Sequence, residues 1–329
     1  MLEKERLDNR YLSKTNYALK EVIGEIALID DLSSMSKTNK DKISTIVDKY
    51  AEYLYSYGYR TQYEKRKSDH LSFFYRGVSN YTYPIVPGIY RRNEQHEENY
   101  YFNEISVRCP DIFRSLNNLE KLTYMQHYGC PTRLLDITSN PLVALYFSCC
   151  GNAEEEGVVY VFGVNTEDVL YANSDRIQML STFAEFRKEE QETLRLFAYC
   201  RLLEKTFPLK TGAKYRIREV EQFYHAVKRH NSGFEREIVP FDLLKPQFVQ
   251  PNKDNPRILK QDGAFIISAL DKDDVESDMK LRKALVEEIY IDPKVKAQIL
   301  QELEYVGINQ ATLFPEVDKV ADYLRKRPY

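Results

Sequence analysis

Two stretches of the sequence combine residue types that can bind an anionic ligand or take part in catalysis. In the first, Arg76 and Gly77 follow an aromatic run at residues 73–75. The aromatic run predicts a strand, and the arginine offers a planar fork of donors with a permanent charge. The glycine lets the backbone approach a ligand closely. The structural alternative is a strand end that carries a surface salt bridge.

The second stretch, YMQHYGCPTRLLDITSNPLVALYFS at residues 124–148, gathers polar side chains between a helix end and an apolar helix. Polar groups in such a place need hydrogen-bond partners. In a structural interpretation, Asp136 pairs with Arg133, and His127 is a satisfied core histidine. In a functional interpretation, the stretch is the polar wall of a ligand cleft. The polar residues concerned are Gln126, His127, Thr132, Arg133, Asp136, Thr138 and Ser139.

Hydrophobic periodicity predicts the helices that position these residues. Apolar residues at three- and four-residue steps predict a helix over residues 39–59, and similar patterns recur near 94–108 and 116–128. Asn140 and Pro141 supply a cap and a first-turn proline for a buried helix.

The rest of the chain mixes strand and helix patterns. The run GVVYVFGV predicts a core strand, and strand-like segments return at EREIVPF, GAFIISAL and LRKALVEEIYI. Charged helical patterns at about 174–231 predict an insertion over the core, and helices are predicted after the last strand. This mixed order predicts an α+β fold, with a mainly helical N-terminal region at residues 1–69.

The composition excludes several classes of function. A net charge of -3 over 329 residues gives no global basic field for nucleic acid or anionic membrane. No apolar stretch is long enough to cross a membrane. The five cysteines lack paired spacing, which argues against disulfides and a metal site and favours the cytoplasm. The sequence contains no P-loop, Rossmann or hydrolase-elbow motif.

The motifs FFYRG and QHYGCPTRLLDITSNPLVALYF together resemble the FRG-domain family, which is named for a Phe-Arg-Gly signature. Tyr75 stands here in place of the phenylalanine. The resemblance covers about residues 70–165, and more loosely 255–325, through NPRILKQDGAF and TLFPEVDKVADYL. It implies that residues 70–329 form an FRG domain, with the helical insertion inside it and helices at its C-terminal end.

A second resemblance is to the core of ADP-ribosyltransferases whose first motif is an arginine. It implies a mixed, mostly antiparallel split sheet flanked by helices. Arg76 would bind the diphosphate of NAD, and Gly77 would lie beside the nicotinamide amide. Thr138 and Ser139 match the hydroxyl pair that orients the ribose, and Arg133 is assigned to the same NAD-binding set.

The third motif of that core carries a catalytic glutamate, and the sequence leaves its identity open. Gln261 precedes one candidate strand and supplies no negative charge, whereas Glu235 and Glu237 lie on another. A carboxylate beside the ribose stabilises an oxocarbenium-like transition state. Asp136 is therefore a further candidate acid, and His127 belongs to the candidate catalytic set.

The resemblances imply a cytoplasmic protein that takes NAD as a substrate and acts as an ADP-ribosyltransferase or NAD glycohydrolase. The acceptor would be a protein or a nucleic acid. The expected setting is bacterial or phage conflict, as a toxin or anti-phage defence effector with a partner protein from the same system. The alternative is a non-catalytic module that senses a nucleotide or a protein.

Both interpretations predict that residues far apart in sequence share one cleft. Arg76, His127, Thr138 and Ser139 all stand near the ends of predicted elements, where binding sites are usually built. Their side chains are therefore expected to converge.

Overall fold

The computed structural model describes residues 37–59, 70–91, 94–206, 217–235 and 238–326. Its centre is a seven-stranded sheet in the order β4-β5-β6-β2-β1-β3-β7. The strands are β1 (Leu71–Val78), β2 (Leu134–Thr138), β3 (Gly157–Asn165), β4 (Val169–Tyr171), β5 (Gln247–Gln250), β6 (Gly263–Ile267) and β7 (Leu285–Ile291). β4 and β5 run parallel, and the other neighbours run antiparallel. The α+β class with a mixed sheet is confirmed, whereas the ADP-ribosyltransferase-like fold stays a prediction.

Helices flank the sheet. They are α1 (Lys37–Tyr59), α2 (Glu98–Arg108), α3 (Pro110–Phe113), α4 (Asn118–His127), α5 (Pro141–Cys149), α6 (Asp175–Thr182), α7 (Lys188–Thr206), α8 (Arg218–His230), α9 (Pro256–Lys260), α10 (Asp274–Arg282), α11 (Pro293–Tyr305), α12 (Gln310–Leu313) and α13 (Val317–Lys326). The predicted start of α5 is confirmed, because the Asn140 side chain accepts from the Leu142 amide and Pro141 opens the helix. None of the helices in the described ranges is long and apolar enough to span a membrane.

The sheet curls so that one of its faces closes on itself. The Phe248 ring of β5 lies 5.6 Å from Phe74 of β1 and 5.9 Å from Phe162 of β3, measured between ring centroids. β5 is not a neighbour of either strand in the sheet order. The apolar residues of this face therefore form an interior of their own, which also takes in Leu281 of α10.

The opposite face is covered by helices in two places. Over β2, β6 and β5, the helices α1, α4, α6, α7 and α8 contribute to the largest apolar cluster, which also contains Leu134, Phe265 and Ile267. Over β1 and β3 lies α5, and α11 packs on its outer side through Leu303. The boundary between these two coverings falls where β2 meets β1.

Several predicted elements differ from those observed. The segment EREIVPF was predicted as a strand, but Glu235 lies in an irregular exposed segment and Pro240–Leu243 is a short 3₁₀ helix. In LRKALVEEIYI the first two residues end α10, and the strand begins only at Leu285. Pro240, in the first turn of the 3₁₀ helix, explains the first difference, since a proline cannot donate to a strand ladder.

Some predictions fall on residues that the structure does not describe. Glu237 lies outside the described residues, as do residues 1–36 and 60–69 of the predicted N-terminal region. Within that region the predicted helix at 39–59 is confirmed as α1. The helical character expected at about 174–231 is confirmed for α6, α7 and α8, while the domain boundaries themselves stay a prediction.

Candidate functional site

Arg76 lies at a seam in the sheet. β1 pairs with β3 through eight residue pairs but with β2 through one, Tyr75 opposite Thr138. In an unbroken antiparallel register, Arg76 would face Ile137 and Gly77 would face Asp136. Instead the strands have separated, and Nη1 of Arg76 donates to the backbone carbonyl of Asp136 at 2.6 Å. The arginine side chain thus replaces a ladder bond across the seam.

The rest of the Arg76 guanidinium is available for another contact. The side chain is half-buried, and its bond to Asp136 is its one hydrogen bond to the described residues. Burial lowers the pKa of Arg76, and the nearby Arg91 adds to that effect while the Asp136 carboxylate opposes it. A guanidinium carries five N–H donors, so one arm is anchored and others can receive an anion.

Gly77 serves the packing of α5. A β-carbon at this position would lie 1.7 Å from the carbonyl oxygen of Ala144 and 2.7 Å from the backbone nitrogen of Ser148. Both atoms belong to α5, which crosses β1 at that point. The close approach that this glycine permits is therefore the approach of a helix rather than of a ligand.

Asp136 belongs to a polar chain beside the seam. Its exposed carboxylate accepts from Nε2 of Gln126 at 2.7 Å, and Oε1 of Gln126 accepts from the Thr132 hydroxyl at 2.5 Å. The chain joins the end of α4 to β2. The interpretation that paired Asp136 with Arg133 was wrong.

Arg133 is instead enclosed in a buried ion pair. It is 1% exposed, and its guanidinium donates to Oε2 of Glu98 through Nε at 2.7 Å, with Nη2 at 2.6 Å. Its backbone amide donates to the other Glu98 oxygen at 2.7 Å, and its guanidinium lies over the Phe183 ring. Burial lowers the pKa of Arg133, but Glu98, together with Tyr90 and Asp271, raises it overall. This arginine fixes α2 against the start of β2 and has no free surface for NAD.

Thr138 and Gln261 hold two turns together. The Thr138 hydroxyl donates to the Gln261 carbonyl at 2.7 Å and accepts from the Asn140 amide at 3.0 Å. The Ser139 hydroxyl lies 3.4 Å from the Asp262 carbonyl, and the Gln261 side chain donates to the Leu313 carbonyl at 3.0 Å. The Thr138 and Gln261 side chains are therefore committed to bonds within the protein, whereas Ser139 is exposed.

The predicted convergence of Arg76, His127, Thr138 and Ser139 on one cleft is not seen among their described contacts. Because Tyr75 faces Thr138, the side chains of Arg76 and Thr138 alternate to opposite faces of the sheet. His127 lies at the end of α4, next to the residue that binds Asp136. The Asp136 side chain, two residues along β2, shares the face of Thr138. Arg76 therefore reaches only the backbone carbonyl of Asp136, whereas Gln126 binds its carboxylate.

His127 lines a groove with a volume of about 510 Å³. One wall is α4, and the other is formed by residues 251–258 and 315–316. Apolar and aromatic groups provide most of the lining surface, and eight of the seventeen lining residues are polar or charged. The residues are Leu116, Leu119, Glu120, Thr123, Tyr124, His127, Tyr128, Ala172, Pro251, Asn252, Asp254, Asn255, Pro256, Arg257, Ile258, Pro315 and Glu316.

The groove's polar residues other than His127 were missed in the sequence analysis. Asn255 and Arg257 stand in NPRILKQDGAF, and Glu316 stands in TLFPEVDKVADYL. Both segments carry the looser part of the family resemblance. That resemblance was the sequence feature that could have identified these residues as part of a site. The Arg257 guanidinium lies 4.6 Å from the centre of the Phe314 ring, which holds it beside the groove.

Residues 71–157 match the family model of the FRG domain. No curated protein and no solved structure matches the chain. The matched segment runs from β1 through β2 and α5 to the first residue of β3, so it contains the seam, Arg76, His127 and Asp136. The partners of β2 and β3 on their other sides, β6 and β7, come from outside it.

Proposed function

We propose that the FRG domain contained in this chain is a ligand-binding module, and that the groove at His127 is its ligand site. The observation that carries this proposal is the groove itself. A concave site of several hundred Å³, lined mainly by apolar and aromatic groups with a few convergent polar ones, is typical of small-molecule sites. The transferase assignment loses support because Arg133, Gly77, Thr138 and Gln261 all serve internal contacts.

NAD or a related nucleotide is the ligand class that we propose first. The rings of Tyr124 and Tyr128 offer faces for stacking a base, and Arg257 offers a phosphate-binding fork. Arg76 does not line the groove: it binds the Asp136 backbone carbonyl, whereas Gln126, next to His127, binds the Asp136 carboxylate.

Calorimetric titration with NAD, ADP-ribose and AMP tests this proposal. Thr123→Trp places a large ring in the groove and should abolish binding, while Val107→Trp, at a residue 77% exposed on α2, should leave it unchanged. Equal binding by the two variants would place the ligand elsewhere. Absence of binding by the wild-type chain would reject the nucleotide class.

A second candidate function is ADP-ribosyl transfer or NAD hydrolysis with Asp136 as the acid. The observation that favours it is an exposed carboxylate held in place by Gln126 and adjacent to Arg76. In such a step the bond between nicotinamide and ribose breaks, and nicotinamide leaves with the electron pair. A protein or nucleic-acid nucleophile, or water, then bonds to the ribose carbon and releases a proton. The carboxylate would stabilise the positive charge of the transition state.

Nicotinamide release distinguishes catalysis from binding alone. If Asp136 is the acid, Asp136→Asn should reduce release on the order of a hundredfold while NAD affinity persists. Glu235→Gln is the matched control, since this residue lies in an exposed irregular segment. If nicotinamide release persists in Asp136→Asn and disappears in Glu235→Gln, the catalytic acid is Glu235 rather than Asp136. If the wild-type chain releases no nicotinamide, either alone or with cell extract as a source of acceptor, catalysis is rejected and the binding-module proposal remains.

The setting in bacterial or phage conflict is a proposal that comes from the family resemblance. It predicts that expression slows bacterial growth or reduces phage plating, and that Thr123→Trp removes the effect. A partner protein from the same system would be recovered with the wild-type chain and would restore growth.

A further inference from the structure

The position of the hydrogen on His127 follows from its neighbour Asn255. The Asn255 side-chain oxygen caps α9 by accepting from the Arg257 amide at 2.8 Å. Its amide nitrogen therefore faces Nδ1 of His127, at 3.2 Å, and donates to it. In the neutral ring an Nδ1 that accepts requires the hydrogen to be on Nε2.

This Nε2–H group stands beside a carboxylate with spare capacity. Nε2 of His127 lies 3.6 Å from Oε1 of Glu316, which is longer than an ordinary hydrogen bond. The other oxygen of Glu316 is buried and has no hydrogen-bond partner among the described residues. Both side chains are partly exposed and line the groove. A fixed donor, Nε2–H of His127, and an acceptor, Oε1 of Glu316, thus lie side by side at the groove, while the buried Oε2 is not available to a ligand.

The complementary chemical group has an adjacent acceptor and donor. In an amide or lactam edge, the carbonyl oxygen can accept from Nε2–H of His127 while the N–H donates to Oε1 of Glu316. A carboxylate of the same shape has no N–H donor and would meet the negative charge of Glu316. An amine without a carbonyl would leave the histidine donor unused.

The walls of the groove favour a planar ring next to that edge. The Tyr124 ring lies 4.9 Å from Tyr128, measured between centroids, and Leu119 and Ile258 add apolar surface. An aromatic ring gains by contact with such faces. We infer that the groove recognises an aromatic carboxamide or lactam, with His127 and Glu316 as the two residues that read its amide edge. The inference rests on the proposed role of the groove as a ligand site.

Benzamide and benzoate, which differ only at this edge, test the inference. Calorimetry should show benzamide binding at least tenfold more tightly than benzoate. His127→Phe, which keeps a ring but removes the donor, should weaken benzamide at least tenfold. His225→Phe, at an exposed position outside the groove, should change nothing. Glu316→Lys replaces the acceptor by a donor and should reverse the preference, so that benzoate binds more tightly.

The outcomes separate this inference from the function of the groove. Equal affinity for benzamide and benzoate, or benzamide affinity unchanged in His127→Phe, would overturn the amide-reading role. So would a failure of Glu316→Lys to favour benzoate in a folded protein, verified by circular dichroism. If benzamide does not bind but NAD binding is still blocked by Thr123→Trp, the groove remains the ligand site and the amide inference is rejected. If Thr123→Trp changes the binding of neither benzamide nor NAD, both the amide inference and the proposed function of the groove are rejected.

Discussion

At the scale of single residues, Arg76 combines a structural bond with unused donors. Its Nη1 bond to the Asp136 carbonyl holds the seam, and the other arm is the part that would meet a phosphate. A lysine can offer one point of charge but not the planar fork. We expect Arg76→Lys to remain folded and to bind NAD roughly tenfold more weakly, a loss of about 1.4 kcal/mol. Calorimetry should show no change for Arg114→Lys, an exposed arginine at the C-terminal end of α3. Equal affinity for both variants would make Arg76 purely structural.

Gly77 gives a second prediction at this scale. The Gly77→Ala β-carbon would overlap the Ala144 carbonyl oxygen, so either α5 or β1 must move. Such overpacking costs about 3 kcal/mol or more in the free energy of unfolding. Gly233→Ala has only an ordinary contact with Asn231 and should stay within about 0.5 kcal/mol of the wild type. Urea denaturation measures both, and similar midpoints for the two variants would contradict the close packing of α5.

At the scale of elements, the buried pair of Arg133 and Glu98 attaches α2 to the start of β2. Glu98→Leu would leave the guanidinium charge buried without its partner, which typically costs about 3–5 kcal/mol. The double variant Glu98→Leu with Arg133→Met removes both charges and should recover most of that loss. Chemical denaturation of the single and double variants is the measurement. A single variant that loses less than about 1 kcal/mol would mean that the pair contributes no more than an exposed one.

The elements also show what the sequence could and could not predict. α1, α5, β3 and β6 have strong apolar patterns or caps, and each was predicted near its observed place. β4 and β5 have three and four residues, too short to show any period, and their strand character comes from pairing with each other and with β6. His127 was a candidate because it stands in a dense polar stretch. Its partners Asn255 and Glu316 come from distant segments, and only the folded chain brings them to it.

At the scale of the whole molecule, a buried ionic cluster ties α1, α7 and α10 together. Arg195 of α7 contacts Asp48 of α1 and Glu276 of α10, and Lys280 contacts both Glu276 and Asp271. Burial alone would raise the pKa of Glu276, but Lys280 and Arg195 together lower it from 4.5 to about 2. Burial raises the pKa of Asp271, so the pKa of Asp271 is shifted upward while that of Glu276 is shifted downward.

The lowered pKa of Glu276 makes part of the stability dependent on pH. Because the folded pKa lies below the unfolded one, the contribution is fully present above pH 4.5 and is lost as the pH falls toward about 2. We expect Glu276→Gln to be less stable than the wild type at neutral pH and to lose less further stability over that acidic interval. Unfolding free energies measured across the interval provide the test. Parallel curves for the two proteins would show that Glu276 does not carry the acid dependence.

The seam between β1 and β2 has a consequence for how the protein opens. One backbone pair and one arginine connect β1, β3 and β7 to the other four strands. A sheet usually opens as a unit because each strand hydrogen-bonds the amides of the next and protects them from exchange. Here that hydrogen bonding is almost absent between β1 and β2. We expect hydrogen–deuterium exchange to divide the sheet into two cooperative opening units, with amides of β3 and β6 reporting different opening free energies. Identical values that shift together with denaturant would mean that the helices, rather than the strand ladder, couple the two halves.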